Sequence, residues 1–264
     1  MSRQDDLRRI AQALQEASEL VRRLSPARLS IRSKKGNDPI TSADHLINEH
    51  LLRLLPRDGD GWLSEETADD LGRLGRRRVW VVDPLDGTRE FVAGIPEWCI
   101  SIGLVEDGRA VAGGICNPAT CEVFLGSLET GLISPLCATE SRERASGEPA
   151  LVLASRTETK RGKWNYASTA PFRVQPVGSV AYKLARVAAG LADATWTLVP
   201  KHEWDVAAGV ALVLANGGLV RTPSGDVPAF NRRRPVLDGL VAYSALGAKR
   251  YREVFEYWLS SAPI

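Results

Sequence analysis

The sequence has no long apolar run, few cysteines and a small net charge, and each of these features excludes a class of protein. No stretch approaches the ~18 consecutive apolar residues of a membrane-spanning helix. The 4 cysteines form no C-x-x-C pair, so a disulfide or cysteine–metal framework is not expected. A net charge of +2 gives no field that would attract a nucleic acid. The first nine residues are charged and lack the apolar core of a signal peptide, so we expect a cytoplasmic protein.

The sequence also lacks the patterns of common hydrolases that use a side-chain nucleophile. It contains neither G-x-S-x-G nor C-x5-R. Its 3 histidines, His45, His50 and His202, have no metal-ligand spacing, and the first two fit the faces of one predicted helix. We therefore expect all three histidines to be structural. A chain of 264 residues nevertheless suffices for a substantial core in one large domain or two sub-domains.

The most informative stretch is a strand followed by a turn with two acidic residues. Four apolar residues, Val-Trp-Val-Val, precede Asp83 and predict a buried strand. Pro84 has no N–H to donate and is expected to end that strand. Asp83, Asp86 and the free carbonyl of Leu85 offer oxygen ligands of the kind Mg²⁺ prefers. A helix that begins near Gly87 would also offer free N–H groups to a phosphate. Alone, the motif is more typical of a strand end, a turn and a helix cap.

Three other motifs accompany this stretch and change its interpretation. They are Thr41-Ser42-Ala43-Asp44, Ser64-Glu65-Glu66-Thr67 and Glu203-Trp204-Asp205-Val206-Ala207-Ala208-Gly209. Together the motifs resemble the inositol monophosphatase superfamily of Mg²⁺-dependent, lithium-sensitive phosphatases. The signatures of that superfamily are a Glu-Glu pair, D-P-[ILV]-D-G-T and W-D-x-A-A-G, in this order and at about these separations. The resemblance extends over residues 34–244.

The resemblance implies an α/β fold with layered α+β packing, the αβαβα five-layer sandwich of inositol monophosphatases and fructose-1,6-bisphosphatases. We expect one phosphatase domain over residues 1–264. A shift to polar composition at 138–149 predicts a sub-domain boundary there. The N-terminal half, about 1–140, would carry the metal site. The C-terminal half, 150–264, would carry the substrate side and the last metal ligand.

Local patterns predict the order of the elements. An apolar stripe predicts a first helix that ends before Pro26, and a second helix is predicted from Thr41 or Ser42 to Leu55. The polar and basic segment 30–39, which contains Lys34 and Lys35, is predicted to be a loop, and the resemblance makes Lys35 a candidate near a further metal. Residues 98–125 predict an antiparallel meander of three strands. In the second half, strands predicted at 151–154, 193–198 and 240–243 alternate with helices at 179–190, 204–216 and 251–259.

The resemblance assigns the metal ligands. Glu65, Asp83 and the carbonyl of Leu85 would bind one Mg²⁺. Asp83, Asp86 and Asp205 would bind a second, and Glu65 would share a third. Four clustered carboxylates would repel one another strongly unless cations neutralised them, so two or three Mg²⁺ per site are expected.

The resemblance also assigns the catalytic groups. Thr88, hydrogen-bonded to Asp44, would orient the attacking water together with Glu65. The backbone of Gly87 and Thr88 would hold phosphate oxygens. Water would then attack phosphorus in line, without a covalent intermediate.

Three features resemble the CysQ-like 3′(2′),5′-bisphosphate nucleotidase branch of the superfamily. The turn continues as Thr88-Arg89-Glu90-Phe91, which is similar to G-T-[KR]-E-F. A later strand ends in Ser155-Arg156, which is similar to V-S-R-S. A predicted helix starts with Gly178-Ser179 followed by Lys183, which is similar to G-S-x-x-K. Arg156, Gly178, Ser179 and Lys183 are therefore candidate substrate ligands, and a lysine can meet a second phosphate as a compact charge.

The expected function is hydrolysis of adenosine 3′,5′-bisphosphate to AMP and phosphate. Inositol monophosphatase, a broad sugar-phosphate or fructose-1,6-bisphosphate phosphatase, and a non-catalytic binding protein stay open as alternatives. Lys201-His202 departs from the G-P-T-like stretch common in the nucleotidase branch. Trp196 is predicted either to stack on a base or to pack in the core. The expected partner is a small phosphorylated metabolite rather than a membrane or a nucleic-acid polymer, and a homodimer stays open.

Overall fold

The computed structural model describes residues 2–23, 31–33, 39–136, 148–197 and 199–260. The elements of the first half are α1 Arg3–Arg23, β1 Ile31–Ser33, β2 Pro39–Thr41, α2 Ser42–Leu54, β3 Gly61–Ser64, β4 Arg78–Asp86, α3 Thr88–Val92, β5 Cys99–Glu106, β6 Arg109–Asn117, β7 Glu122–Ser127 and β8 Gly131–Leu136. Those of the second half are β9 Ala150–Ser155, α4 Arg156–Lys160, β10 Phe172–Val177, α5 Val180–Ala188, β11 Ala194–Thr197, β12 Lys201–His202, α6 Glu203–Ala215, β13 Leu219–Arg221, β14 Val236–Leu237, β15 Leu240–Tyr243 and α7 Ala245–Ser260.

The first half is built on a six-stranded sheet in the order β3-β4-β5-β6-β7-β8. β3 pairs with β4 in parallel, and the other neighbours are antiparallel. Because successive strand residues face opposite sides, Trp80 and Val82 pack with α1 and α2 while Val79 and Val81 pack with α5 and α6. This sheet is therefore covered by helices on both faces, which explains why β4 is an almost unbroken apolar run.

The second half is built on a five-stranded sheet in the order β10-β9-β11-β15-β13. Leu151 and Leu153 of β9 share a core cluster with α5 and α6, whereas Val152 and Ala154 pack on the other face with α7. The layers are therefore α1 and α2, the six-stranded sheet, α5 and α6, the five-stranded sheet, and α7. The predicted αβαβα architecture is confirmed.

Several local predictions differ from the structure. The predicted loop at 30–39 is wrong in part, because Ile31–Ser33 and Pro39–Thr41 pair as an antiparallel two-stranded sheet. Pro84 does not end β4, since the strand continues to Asp86 through an irregularity between Asp83 and Asp86, where a missing N–H is tolerated. The meander has a fourth strand, β8, and α7 begins at Ala245 rather than Tyr251. Short pieces of strand and fraying helix ends carry little sequence pattern.

Two predictions fall on residues outside the described part of the chain. Lys34 and Lys35 lie there, and so does most of the 138–149 segment that was predicted to divide the sub-domains. The sub-domain division therefore stays a prediction. Within the described ranges, no helix combines the length and apolar character needed to cross a membrane.

Candidate active site

Three carboxylates converge at one end of the six-stranded sheet. One oxygen from each of Glu65, Asp83 and Asp205 lies within 4.8 Å of the other two. Glu65 directly follows β3, and its N–H donates to the carbonyl of Val82 over 3.3 Å, which places it beside Asp83 on the parallel strand β4. Asp205 comes from the first turn of α6, which packs across β4, β5 and β6. Three elements that are distant in sequence thus place acids at one point.

The cluster is electrostatically strained. Burial, together with repulsion from Glu65, Asp86 and Asp205, raises the pKa of Asp83 well above its ordinary value. Burial and the neighbouring charges of Asp86 and Glu65 raise the pKa of Asp205 to about 8, against an opposing effect of Lys201. A divalent cation bound among these acids would offset both their burial and their mutual repulsion. The all-oxygen donor set fits Mg²⁺.

Asp86 lines the same cavity as these three acids, but the second half of the chain holds it in place. The Ser179 hydroxyl donates to Asp86 Oδ2 over 2.6 Å, and the Ala181 N–H donates to the same oxygen over 2.7 Å. Asp86 follows the irregularity in β4, so strand pairing alone does not fix its position. All four acids predicted as metal ligands line this cavity.

The turn after Asp83 is held by local hydrogen bonds. Asp83 Oδ1 accepts from the Leu85 N–H over 2.9 Å, and the Thr88 hydroxyl donates to the Leu85 carbonyl over 3.1 Å. Asp44, buried in α2, lies 3.5 Å from the Thr88 hydroxyl, so the predicted pair is brought together. Gly87 has φ +96, and a Cβ there would lie 3.0 Å from the carbonyl oxygen of Glu97. Glycine is required at that turn.

The cavity has a volume of about 610 Å³, and cations line it beside the acids. Lys183 is 3% exposed, so the alternative that it is a solvated residue on the outer face of its helix is wrong. Its Nζ donates to the carbonyls of Ser179 over 2.9 Å and Val177 over 3.4 Å. Burial lowers the pKa of Lys183 to about 8, although the charge of Asp86 acts against this. Four more cations line the cavity: Arg89, Arg156, Arg161 and Lys201.

Arg156 is oriented by a partner that sequence reasoning missed. Its Nη2 forms an ion pair with Glu97, and its Nε donates to the same carboxylate oxygen over 3.1 Å. The Gly178 N–H donates to that oxygen as well, over 2.7 Å. A Cβ at Gly178 would lie 2.7 Å from the Glu97 carbonyl, which explains the glycine. No local pattern around Glu97 pointed to this role, because Arg156 lies 59 positions away.

The hypothesis that Trp196 stacks on a substrate base is wrong. Trp196 is 1% exposed, its ring stacks on Trp164 with centroids 5.0 Å apart, and it packs edge-on against Phe172. Its Nε1–H donates to the Tyr166 hydroxyl over 2.9 Å. It belongs to the core between the five-stranded sheet and α7 and does not line the cavity.

His50 and His202 each have a structural contact, and His202 also lines the cavity. His50 Nε2 lies 2.9 Å from a carboxylate oxygen of Glu16, which joins α2 to α1. The ring of His202 stacks on Trp204 with centroids 4.4 Å apart. The His202 N–H donates to Asp205 Oδ2 over 3.0 Å, so the cap of α6 helps to orient an acid of the cluster.

Comparison with known proteins gives a consistent result. A model of the inositol monophosphatase family matches residues 3–257. The chain is 33% identical over 242 residues to inositol monophosphatase 2 of Solanum lycopersicum, with 84% of this chain and 89% of that protein covered. It is 32% identical over 224 residues to a 3′-phosphoadenosine 5′-phosphate phosphatase of Mycobacterium bovis, with 81% and 82% covered. The fold matches the crystal structure of CysQ from Bacteroides thetaiotaomicron with a TM-score of 0.75 at 24% identity, over 92% of this chain and 98% of that one.

Proposed function

The chain belongs to the inositol monophosphatase family of phosphoric monoester hydrolases, and on that premise we propose that it is a Mg²⁺-dependent 3′(2′),5′-bisphosphate nucleotidase. Its substrate would be adenosine 3′,5′-bisphosphate, and its products AMP and phosphate. The proposal rests on one observation above all: a buried lysine faces the cavity in which the acidic cluster lies.

The acidic cluster would hold two or three Mg²⁺ ions. The ligands would be the carboxylates of Glu65, Asp83, Asp86 and Asp205 and the carbonyl of Leu85. When bound, such ions neutralise the clustered acids, polarise the phosphoryl group and lower the pKa of a bound water. A carbonyl oxygen has two lone pairs, so Leu85 can accept from the Thr88 hydroxyl and still serve as a ligand.

The chain's own groups would orient the reacting atoms. Thr88, between the Leu85 carbonyl and Asp44, is placed to accept from or donate to a water near Glu65. Glu65 is a carboxylate within reach of the same point and can accept the proton of that water. Gly87 is the N-cap of α3 and Thr88 its first residue, so their amides have no carbonyl partner within that helix and can bind phosphate oxygens.

The cations of the cavity lining would bind the second phosphate. An ammonium group has three donors, and Lys183 uses two of them on backbone carbonyls, which leaves one for a ligand in the cavity. The strongest negative charge near this ammonium is Asp86, a proposed metal ligand. Bound cations would neutralise that carboxylate, so the buried ammonium would then gain strongly from a phosphate as its anionic partner. Arg156, held by Glu97, and Lys201 line the same cavity and could match the charge of a second phosphate, which a monophosphate lacks.

Inositol monophosphatase is the second candidate, because Glu158 also lines the cavity. This carboxylate is 6% exposed and accepts from the Trp164 Nε1–H over 3.2 Å and the Thr197 hydroxyl over 2.8 Å. Its remaining lone pairs could accept hydrogen bonds from sugar or inositol hydroxyls. The same acid near Lys183 would disfavour a second phosphate, so the two candidates predict opposite substrate preferences.

The experiment compares kcat/KM for adenosine 3′,5′-bisphosphate, AMP, inositol 1-phosphate and fructose 1,6-bisphosphate at saturating Mg²⁺. We expect the wild type to prefer the adenosine bisphosphate. Lys183→Met keeps the apolar volume of the buried stem and removes the charge. It should lower kcat/KM for the bisphosphate about ten- to hundred-fold, the value of a charge-assisted contact worth roughly 1.5–3 kcal/mol.

The matched control is Lys163→Met. Lys163 is exposed and does not line the cavity, so this variant should leave kcat/KM unchanged for both the bisphosphate and the monophosphate. The best monophosphate substrate reports general damage to the site. An equal loss on bisphosphate and monophosphate in Lys183→Met, or a wild-type preference for inositol 1-phosphate, would contradict the nucleotidase proposal.

A further inference from the structure

We propose that Ser179 is a positioning residue that fixes which oxygen of Asp86 is offered to the cations, an inference that rests on the proposed metal-dependent function. Asp86 Oδ2 accepts two hydrogen bonds from the start of α5, from the Ser179 hydroxyl at 2.6 Å and from the Ala181 N–H at 2.7 Å. Within the described residues, Oδ1 accepts none. Asp86 would therefore offer Oδ1 to a cation, and the start of α5 sets the direction of that oxygen.

Among the residues that the structure describes, the hydroxyl proton of Ser179 has one strong acceptor, Asp86. The Ser179 oxygen itself accepts from the Tyr182 N–H over 3.0 Å, as the N-cap of α5. Cys99 Sγ lies 3.3 Å away and is a much weaker acceptor than a carboxylate. The carboxylate of Asp86 is therefore the preferred acceptor of the serine proton, whether or not the thiol is present. The short distance to Asp86 is that of a charge-assisted hydrogen bond.

The backbone at this position indicates that the hydroxyl is needed. Ser179 has φ +54, a conformation that favours glycine and that a residue with a side chain adopts at a cost. Glycine is also almost as good an N-cap as serine. Glycine would therefore suit both the φ value and the cap, and what it would lack is the donor to Asp86.

Tertiary contact is needed because the strand does not hold Asp86 by itself. The ladder between β4 and β5 is irregular between Asp83 and Asp86, and Asp86 lies at its end. The two donors come from residues 93 and 95 positions later in the chain. The start of α5 also holds the buried lysine, because Lys183 Nζ donates to the Ser179 carbonyl. The same turn orients a metal ligand and the proposed phosphate-binding cation.

The test uses Ser179→Gly, which removes the donor while it relieves the backbone. Binding of Mn²⁺, a hard cation with ligand preferences like those of Mg²⁺, is measured from the free-ion signal in electron paramagnetic resonance. We expect about a ten-fold weaker binding, equivalent to one charge-assisted hydrogen bond, at the sites that Asp86→Asn also weakens. The melting temperature in chelator should be unchanged or higher, because glycine fits the positive φ.

The matched control is Cys99→Ala, which changes the other neighbour of the Ser179 oxygen and should leave Mn²⁺ affinity unchanged. If the wild type binds Mn²⁺ and Ser179→Gly binds it equally well, Ser179 has no positioning role. A ten-fold loss that persists in an Asp86→Asn background also overturns the inference, as does a melting temperature that falls together with affinity. Absence of Mn²⁺ binding to the wild type would instead refute the metal-dependent function itself.

Discussion

In the metal-free protein, the free energy of unfolding should fall as the pH rises, and Asp205 should account for a measurable share of that fall. Its pKa of about 8 in the folded chain lies far above the usual value, because the group is buried and faces Asp86 and Glu65. In the unfolded chain it returns to roughly 3.9. Between these values the folded state keeps a proton that the unfolded state has lost. Stability therefore falls as the pH rises through this window.

The expected size follows from proton linkage. One extra proton bound by the folded state lowers the free energy of unfolding by about 1.4 kcal/mol per pH unit, or about 2.7 kcal/mol between pH 5 and pH 7. For a chain of this size that corresponds to roughly 5–11 °C in melting temperature. Asp83, whose pKa is also raised, adds to the slope in the same direction. Asparagine does not titrate, so in Asp205→Asn the free energy of unfolding should depend less steeply on pH, by an amount equivalent to about one proton.

The assay is differential scanning calorimetry in excess chelator from pH 5 to pH 7, on the wild type, Asp205→Asn and Asp238→Asn. An asparagine at 205 can still accept from the His202 N–H and so preserves the cap of α6. Asp238 is exposed and outside the cavity, so its variant should follow the wild-type slope. Saturating Mg²⁺ should reverse the wild-type trend, because cations bind deprotonated carboxylates. An unchanged slope in Asp205→Asn would refute the reasoning.

Two further predictions concern turnover. Thr88→Ala should lower kcat about hundred-fold with little change in KM, because the role proposed for Thr88 is to orient water in the transition state, while Thr88→Ser should stay within about ten-fold of the wild type. Steady-state kinetics that gave the same rate for both variants would leave Thr88 only a helix-capping role. Li⁺ should inhibit on the order of millimolar to tens of millimolar, because the acidic cluster is expected to hold one cation weakly. Undiminished activity over that range would count against lithium sensitivity.

The sequence by itself determined which acids form the cluster and the order of most elements. The turn at Asp83 and Asp86 could be located because an apolar strand, a proline and a glycine define it locally, and the helical start at Asp205 has a similarly local signature. Their interpretation as metal ligands came from the companion motifs and the family that these resemble. The layered fold followed from alternating strand and helix patterns together with the resemblance carried by four motifs. Each of these signals depends on residues within a few positions of one another.

Tertiary structure decided which way the side chains point and what they meet. Lys183 could equally have been placed on an exposed helix face, and Trp196 beside a ligand, because helical or strand periodicity does not say which other layer covers a given face. In the folded chain, Lys183 is buried beside the active-site cavity and Trp196 is buried against α7. Ser179 reaches Asp86 across 93 positions of the chain, as two layers are brought into contact. Such contacts have no local pattern, since their geometry exists only once the two sheets and the helices between them are assembled.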